Sequence, residues 1–220
     1  MKTWYNNQRG DFIKNKKIVI LVLLSVLFLL TTILVATQNI NFYDNFIIEK
    51  VRNITKDKTT YFKISTNFGS ALIMILITVL SLPLLKNKKQ TLFIAINIIS
   101  SAAINTGLKM IFHRQRPLDM LINETGYSYP SGHSFVSIVF YGFIIYLIIN
   151  SKIEKKKKYI ITGLLSLLIL TIGTSRIYLG VHYPSDVLGG FAGGLLYLLI
   201  FIKIYRKYGE KNEKERKKTK

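Results

Sequence analysis

Charged residues along this chain fall in clusters and leave six stretches free of them, at 18–43, 64–85, 90–108, 134–151, 159–175 and 187–202. A bilayer core about 30 Å thick is crossed by about 20 apolar residues in a helix, within a range of roughly 17–25. The pattern therefore predicts six transmembrane helices, near 18–38, 67–85, 91–112, 133–150, 159–178 and 185–204. The two shortest stretches are completed by uncharged or motif-bearing flanks. The first stretch follows a basic N-terminus, but its apolar run from Ile18 to Ala36 outlasts a secretory h-region of about 7–15 residues. No small-x-small cleavage site follows it, so it is expected to persist as a permanent helix. Between the first two spans, DNFIIEKVRNI places Phe46, Ile47, Val51 and Ile54 at helical spacing, the pattern of a helix lying on a membrane surface. The expected fold is all-α: an integral membrane bundle of six transmembrane helices with an interfacial segment between the first and second. Residues 1–17 form the N-terminus, 18–204 the membrane domain and 205–220 a basic tail.

Composition sharpens this. Half of the 220 residues are hydrophobic, yet 31 Lys and Arg face 11 Asp and Glu, a net charge of +20. A soluble domain of this size rarely combines the two, so a soluble enzyme is excluded. The absence of cysteine removes disulfides, thiolate metal sites and cysteine nucleophiles, and with them any redox hint of compartment. Six spans put both termini on one side, and 22 of the 31 basic residues then share that side. The positive-inside rule makes it the cytoplasm. The tail KNEKERKKTK reads as a cytoplasmic retention charge, not a nucleic-acid binder. Two glycosylation sequons, at Asn53 and Asn123, are too short a pattern to carry weight.

Four of the nine opposite cations, Lys109, Arg114, Arg116 and Arg176, sit at the outer ends of apolar helices. Charge there costs roughly 2.5–3.5 kcal/mol near the bilayer centre and less toward the interface, so its gathering needs a reason. They fall in KMIFHRQRP (109–117) and SRIYLGVHYPSD (175–186), with PSGH (130–133) between. Lys109 and Arg116 are seven apart, two turns on one helix face if Pro117 ends the helix. Lys109, Arg116 and Arg176 suit a multiply charged anion; snorkelling would explain one such residue, not three beside two histidines. Ser131 and Gly132 open the fourth helix, where free N–H groups bind anions. His182 and Asp186 are four apart, so the carboxylate can accept from Nδ1–H and leave Nε2 nucleophilic. His133 begins the fourth helix across the site. His113 has no carboxylate in register and is expected to be bystander structure. Asp119, Glu124 and Asp186 are too scattered for a two-metal site, and no metal or other cofactor is expected.

These segments resemble the type 2 phosphatidic acid phosphatase superfamily, whose pattern is K-x6-R-P, then P-S-G-H, then S-R-x5-H-x3-D. Lys109, Arg116, Pro117, Pro130 to His133, Ser175, Arg176, His182 and Asp186 fill every fixed position. The likeness is strongest to bacterial membrane members acting on phosphatidylglycerophosphate or undecaprenyl diphosphate. It implies a metal-independent phosphatase of the cell membrane with an extracytoplasmic site, taking a lipid phosphate. His182 would attack phosphorus, Asp186 would orient it, and His133 would protonate the leaving group and then activate water. Lys109, Arg116, Ser131, Gly132 and Arg176 would hold the phosphate oxygens. Two alternatives stay open: a phosphotransferase sharing that intermediate, and a transporter or scaffold that only binds lipid phosphate. Haloperoxidases share the segments but are soluble, which six spans oppose.

Overall fold

The computed structural model describes residues 2–81 and 88–210, with side chains over 18–80 and 89–209. All regular structure among them is helical: α1 (Lys2–Ala36), α2 (Asn41–Ile54), α3 (Thr59–Asn67), α4 (Ala71–Ser81), α5 (Lys88–Phe112), α6 (Gly132–Ile149), α7 (Lys155–Tyr178) and α8 (Pro184–Tyr205), ending in a π-helical turn, Arg206–Glu210. Five helices are long and apolar enough to cross a membrane by themselves, and α3 with α4 form a sixth span only as a bent pair. The chain is a membrane protein. The basic tail 211–220 and the loop 82–87, with Lys86, lie outside the described residues.

Helix α6 is the axis of the bundle, packed against α5, α7 and α8. Its approach to α8 is set by small residues: a Cβ on Gly190 would stand 2.8 Å from the Ser131 carbonyl, and one on Gly194 2.4 Å from Ile138. Backbones come this close in membranes because no solvent drives the helices together and packing must do it. Below the contact, Phe135, Val139, Phe140, Phe143, Ile172, Leu198 and Phe201 fill one buried core. At the end remote from the motifs, Phe143 meets Phe201 and Tyr205 edge-on at 5.2 and 5.1 Å, the favoured geometry for ring quadrupoles. Helix α1 packs on α8, and Thr32 shares a 2.8 Å hydrogen bond with the Tyr129 hydroxyl.

Two expectations need correction. The second span is not one helix over 67–85: α3 and α4 meet at a 56° bend over 68–70. Gly69 sits at the bend, where a Cβ would lie 2.7 Å from both the His133 ring and Ile172; the chain passes where only glycine fits. The Phe68 carbonyl at the break accepts from Tyr141 Oη at 2.8 Å, so the polar cost of the bend is met internally. Nor does α5 reach Arg116. It ends at Phe112, His113 has φ 47°, and the chain runs non-helically to Pro117. The helix is thus over before Arg116, and Lys109 and Arg116 do not share a helix face.

Helix α2 forms over the expected segment, but its stripe is divided. Val51 packs against the cluster of Phe62, Tyr178, Leu179 and Val181, whereas Ile54 and Phe46 remain exposed.

Candidate active site

The ends of α5, α6, α7 and α8 bring the three motifs together, each by a local device. Ser131 caps α6, its Oγ accepting from Ser134 N at 3.5 Å and Ser134 Oγ at 3.0 Å; its own hydroxyl hydrogen stays free to donate. Pro184 opens α8 with a pre-set φ. The loop before it folds back on α7, with Val181 N and His182 N both donating to the Arg176 carbonyl at 3.2 Å. Helices α6 and α8 are tied at their starts by Ser131 N donating to the Asp186 carbonyl at 3.0 Å.

His182 is buried. Its Nδ1 lies 3.4 Å from Asp186 Oδ2 and 3.3 Å from Ser128 Oγ, and its Nε2 lies 3.2 Å from Arg116 Nη1. A guanidinium can only donate, so the network assigns a lone pair to Nε2 and the proton to Nδ1. Burial lowers the imidazole to about 4, against the opposing hydrogen bond of Asp186. It is therefore neutral at pH 7. Asp186 is fully buried and saturated with donors: Arg114 Nη1 at 2.6 Å, Tyr183 N at 2.8 Å and the Ser128 hydroxyl.

The cations ring this dyad. Arg116 is strapped down by three carbonyls, donating to Gly126 O at 3.0 Å, Val181 O at 2.8 Å and Thr125 O at 2.9 Å. Arg176 is 1% exposed; Nη1 donates to Thr66 Oγ1 at 2.8 Å, Nη2 is paired with Glu124, and Nε is buried without a partner among the described residues. Lys109 Nζ donates to the Tyr127 and Ser128 carbonyls, which places it beside the serine that contacts His182. Gly132 faces Asn105, whose Oδ1 would stand 3.1 Å from an added Cβ. His133 lies against Gly69 and within electrostatic range of Arg176, His182, Arg116 and Lys109; its ring makes no hydrogen bond among the described residues. His113 instead packs edge-on to Tyr127 at 4.5 Å.

Several contributors escaped the sequence reading. Glu124 lies on Arg176 and 3.9 Å from Arg116. Burial opposes its ionisation, but the Arg176 charge holds it below the usual carboxylate range, so one carboxylate stands among these cations. Arg114 was visible only as one more cation, yet it reaches both Asp186 and Asp44. Ser128, Ser185, Thr66 and Asp44 carried no signal at all: each is an ordinary polar residue until the fold supplies its partner.

Residues 90–210 match the family model described as the PAP2 superfamily, more than half of the chain. The chain belongs to the PAP2 superfamily. Among curated PAP2 relatives, phosphatidylglycerophosphatase B of Bacillus subtilis (strain 168) is 43% identical over 99 residues, 42% of this chain and 47% of that protein. An undecaprenyl-diphosphatase of Sulfolobus acidocaldarius is 26% identical over 136 residues, 59% of this chain and 62% of that protein. The chain thus spans about half the length of the first and under two thirds of the second. A crystal structure of a transmembrane PAP2-type phosphatidylglycerolphosphate phosphatase from Bacillus subtilis superposes with TM-score 0.77 at 26% identity, covering 86% of this chain and 96% of that one. Aquifex aeolicus LpxE superposes with TM-score 0.55 at 24% identity, over 70% of this chain and 93% of that one, a likeness of fold alone.

Proposed function

We propose that this PAP2 protein is a lipid phosphatase of the cell membrane, with cytoplasmic termini and an extracytoplasmic site, and that it works through phosphohistidine at His182. One observation carries the reading: a buried neutral imidazole with Nδ1 against a carboxylate and its Nε2 lone pair turned toward a ring of cations. That arrangement binds a phosphate and attacks it. The phosphate takes the Arg116 hydrogen bond now made to Nε2, freeing the lone pair to form the P–N bond as the bond to the lipid oxygen breaks. Arg116, Arg176 and Lys109 carry the charge on the transferring oxygens, and Ser131 Oγ and the Gly132 amide lie at the helix start beside them. His133 gives its proton to the leaving oxygen, then takes one from water as water displaces His182 from phosphorus. The charge is carried by side chains, and no step calls for a metal.

The relatives' names support a lipid phosphomonoester or diphosphate as substrate. Phosphatidylglycerophosphate is favoured by the 43% identity to phosphatidylglycerophosphatase B. The test is to assay purified protein in detergent, with chelator, against phosphatidylglycerophosphate, undecaprenyl diphosphate and phosphatidic acid. Release of inorganic phosphate, and an acid-labile, base-stable adduct lost in His182→Ala, is expected. A new phosphoester would indicate transfer to a second alcohol; no turnover would indicate a binding protein. His133→Ala should lose about 10²–10⁴-fold on a lipid monoester but far less on p-nitrophenyl phosphate, whose leaving group needs no proton. Equal losses on both would remove His133 from the acid role.

A further inference from the structure

Helix α2 bears exposed apolar rings on one side, but Asp44 is turned the other way and is 1% exposed. Its Oδ1 accepts from Ser185 N at 2.8 Å. Its Oδ2 accepts from Ser185 Oγ at 2.7 Å and from Arg114 Nη2 at 2.8 Å. Ser185 stands in the first turn of α8, where a backbone N–H has no intrahelical acceptor. Tyr183, before the helix, makes no side-chain cap bond. Asp44 therefore does from a distant helix what a capping carboxylate ordinarily does from the adjacent residue.

The other half of the contact is Arg114. Its Nη1 donates to Asp186 Oδ1 at 2.6 Å and to Ser185 Oγ at 2.8 Å, while its guanidinium lies 4.1 Å from the centre of the Tyr183 ring. One guanidinium is thus forked between two buried carboxylates, with the Ser185 hydroxyl linking Asp44 back to the nitrogen that holds Asp186. If Asp186 held Arg114 alone, that cation would draw the carboxylate away from its second task, accepting from His182. With Asp44 on the other nitrogen, the charge is shared and Oδ2 of Asp186 keeps its acceptor strength toward Nδ1. That bond matters most when Nε2 bonds phosphorus, because the ring then carries a formal positive charge.

We infer that Asp44 is a positioning residue for phosphoryl transfer: through Arg114 and Ser185 it fixes the Asp186 carboxylate, and with it the orientation and tautomer of His182. The inference rests on the reading of His182 as the nucleophile. The test is Asp44→Asn in the full chain, which keeps shape and an acceptor oxygen but removes the charge. Loss of a partner one step behind a metal ligand costs about 10–100-fold, and a loss of that order is expected here behind the His182–Asp186 pair. The loss should fall on kcat, with KM and inhibition by inorganic phosphate within about twofold of the wild type. With only three histidines in the chain, ¹⁵N-histidine spectra give a second readout. The Nδ1–H signal of His182 should move while those of His113 and His133 stay. Should Asp44→Asn fail to fold, Ser185→Ala keeps both carboxylates and removes that hydroxyl link, and should shift kcat and the His182 signal in the same direction by less. Unchanged kcat and unchanged His182 signal in a folded variant would overturn the inference, as would a rise in KM alone. A wild-type protein that turns over no lipid phosphate, but whose His182 signal moves in Asp44→Asn, would refute the phosphatase reading and leave the positioning role standing.

Discussion

At the scale of single residues, the candidate site already holds a carboxylate against one of its cations. Glu124 is paired with Arg176, so on the proposed function an incoming phosphate would compete with a carboxylate already in place. Glu124→Gln removes that competitor's charge, and inorganic phosphate should then inhibit about tenfold more tightly, or about 1.4 kcal/mol. Weaker inhibition would instead make Glu124 a support for Arg176. His182 gives a pH prediction with a definite sign. Its folded value lies below the ordinary 6.5, so the neutral form persists down the acid range and is lost only as pH falls through about 4. A ¹⁵N-histidine titration that finds its midpoint above 6 would contradict that. His182, Asp186 and the three cations were legible because they stand in fixed short spacings. Arg114 and Asp44 were not, since they are 70 residues apart in the chain and nothing local marks a carboxylate whose partner lies on another helix.

At the scale of elements, apolar length was enough to place α1, α5, α6, α7 and α8, because a membrane-spanning helix must satisfy its own backbone and needs no partner to be recognised. The α3–α4 bend was not legible. Its stretch is as free of charge as the others, and the close approach made at the bend, the His133 ring against Gly69, is a contact between elements. The span 91–112 ended where α5 ends, but the shared face of Lys109 and Arg116 was misread: seven-residue spacing fits two helical turns, whereas the chain leaves the helix at His113, with φ 47°. The bend carries its own prediction. Gly69→Ala puts a methyl 2.7 Å from the His133 ring, so the ring must turn away. Turnover of a lipid monoester should fall well below wild type while inorganic phosphate still binds. Full activity in Gly69→Ala would show that the bend tolerates a side chain and that His133 is not fixed by it.

For the molecule as a whole, the 22-to-9 division of basic residues predicts which face is outside. Asn123 and Lys157 are both exposed, at opposite ends of the bundle, and the chain has no native cysteine. An impermeant maleimide applied to intact cells should label Asn123→Cys and spare Lys157→Cys. The opposite result would put the site on the cytoplasmic side. The fork on Arg114 also sets an order of events in making the protein. Asp44 leaves the ribosome 70 residues before Arg114 and 141 before Ser185. At roughly 5–20 residues per second, the interval to Ser185 is about 7–30 s. For the first half of that time Asp44 lacks even Arg114 as a partner, and its full set of donors exists only once Ser185 has been made. The buried cluster on Asp44 is therefore closed by α8, the last of the long helices to be made.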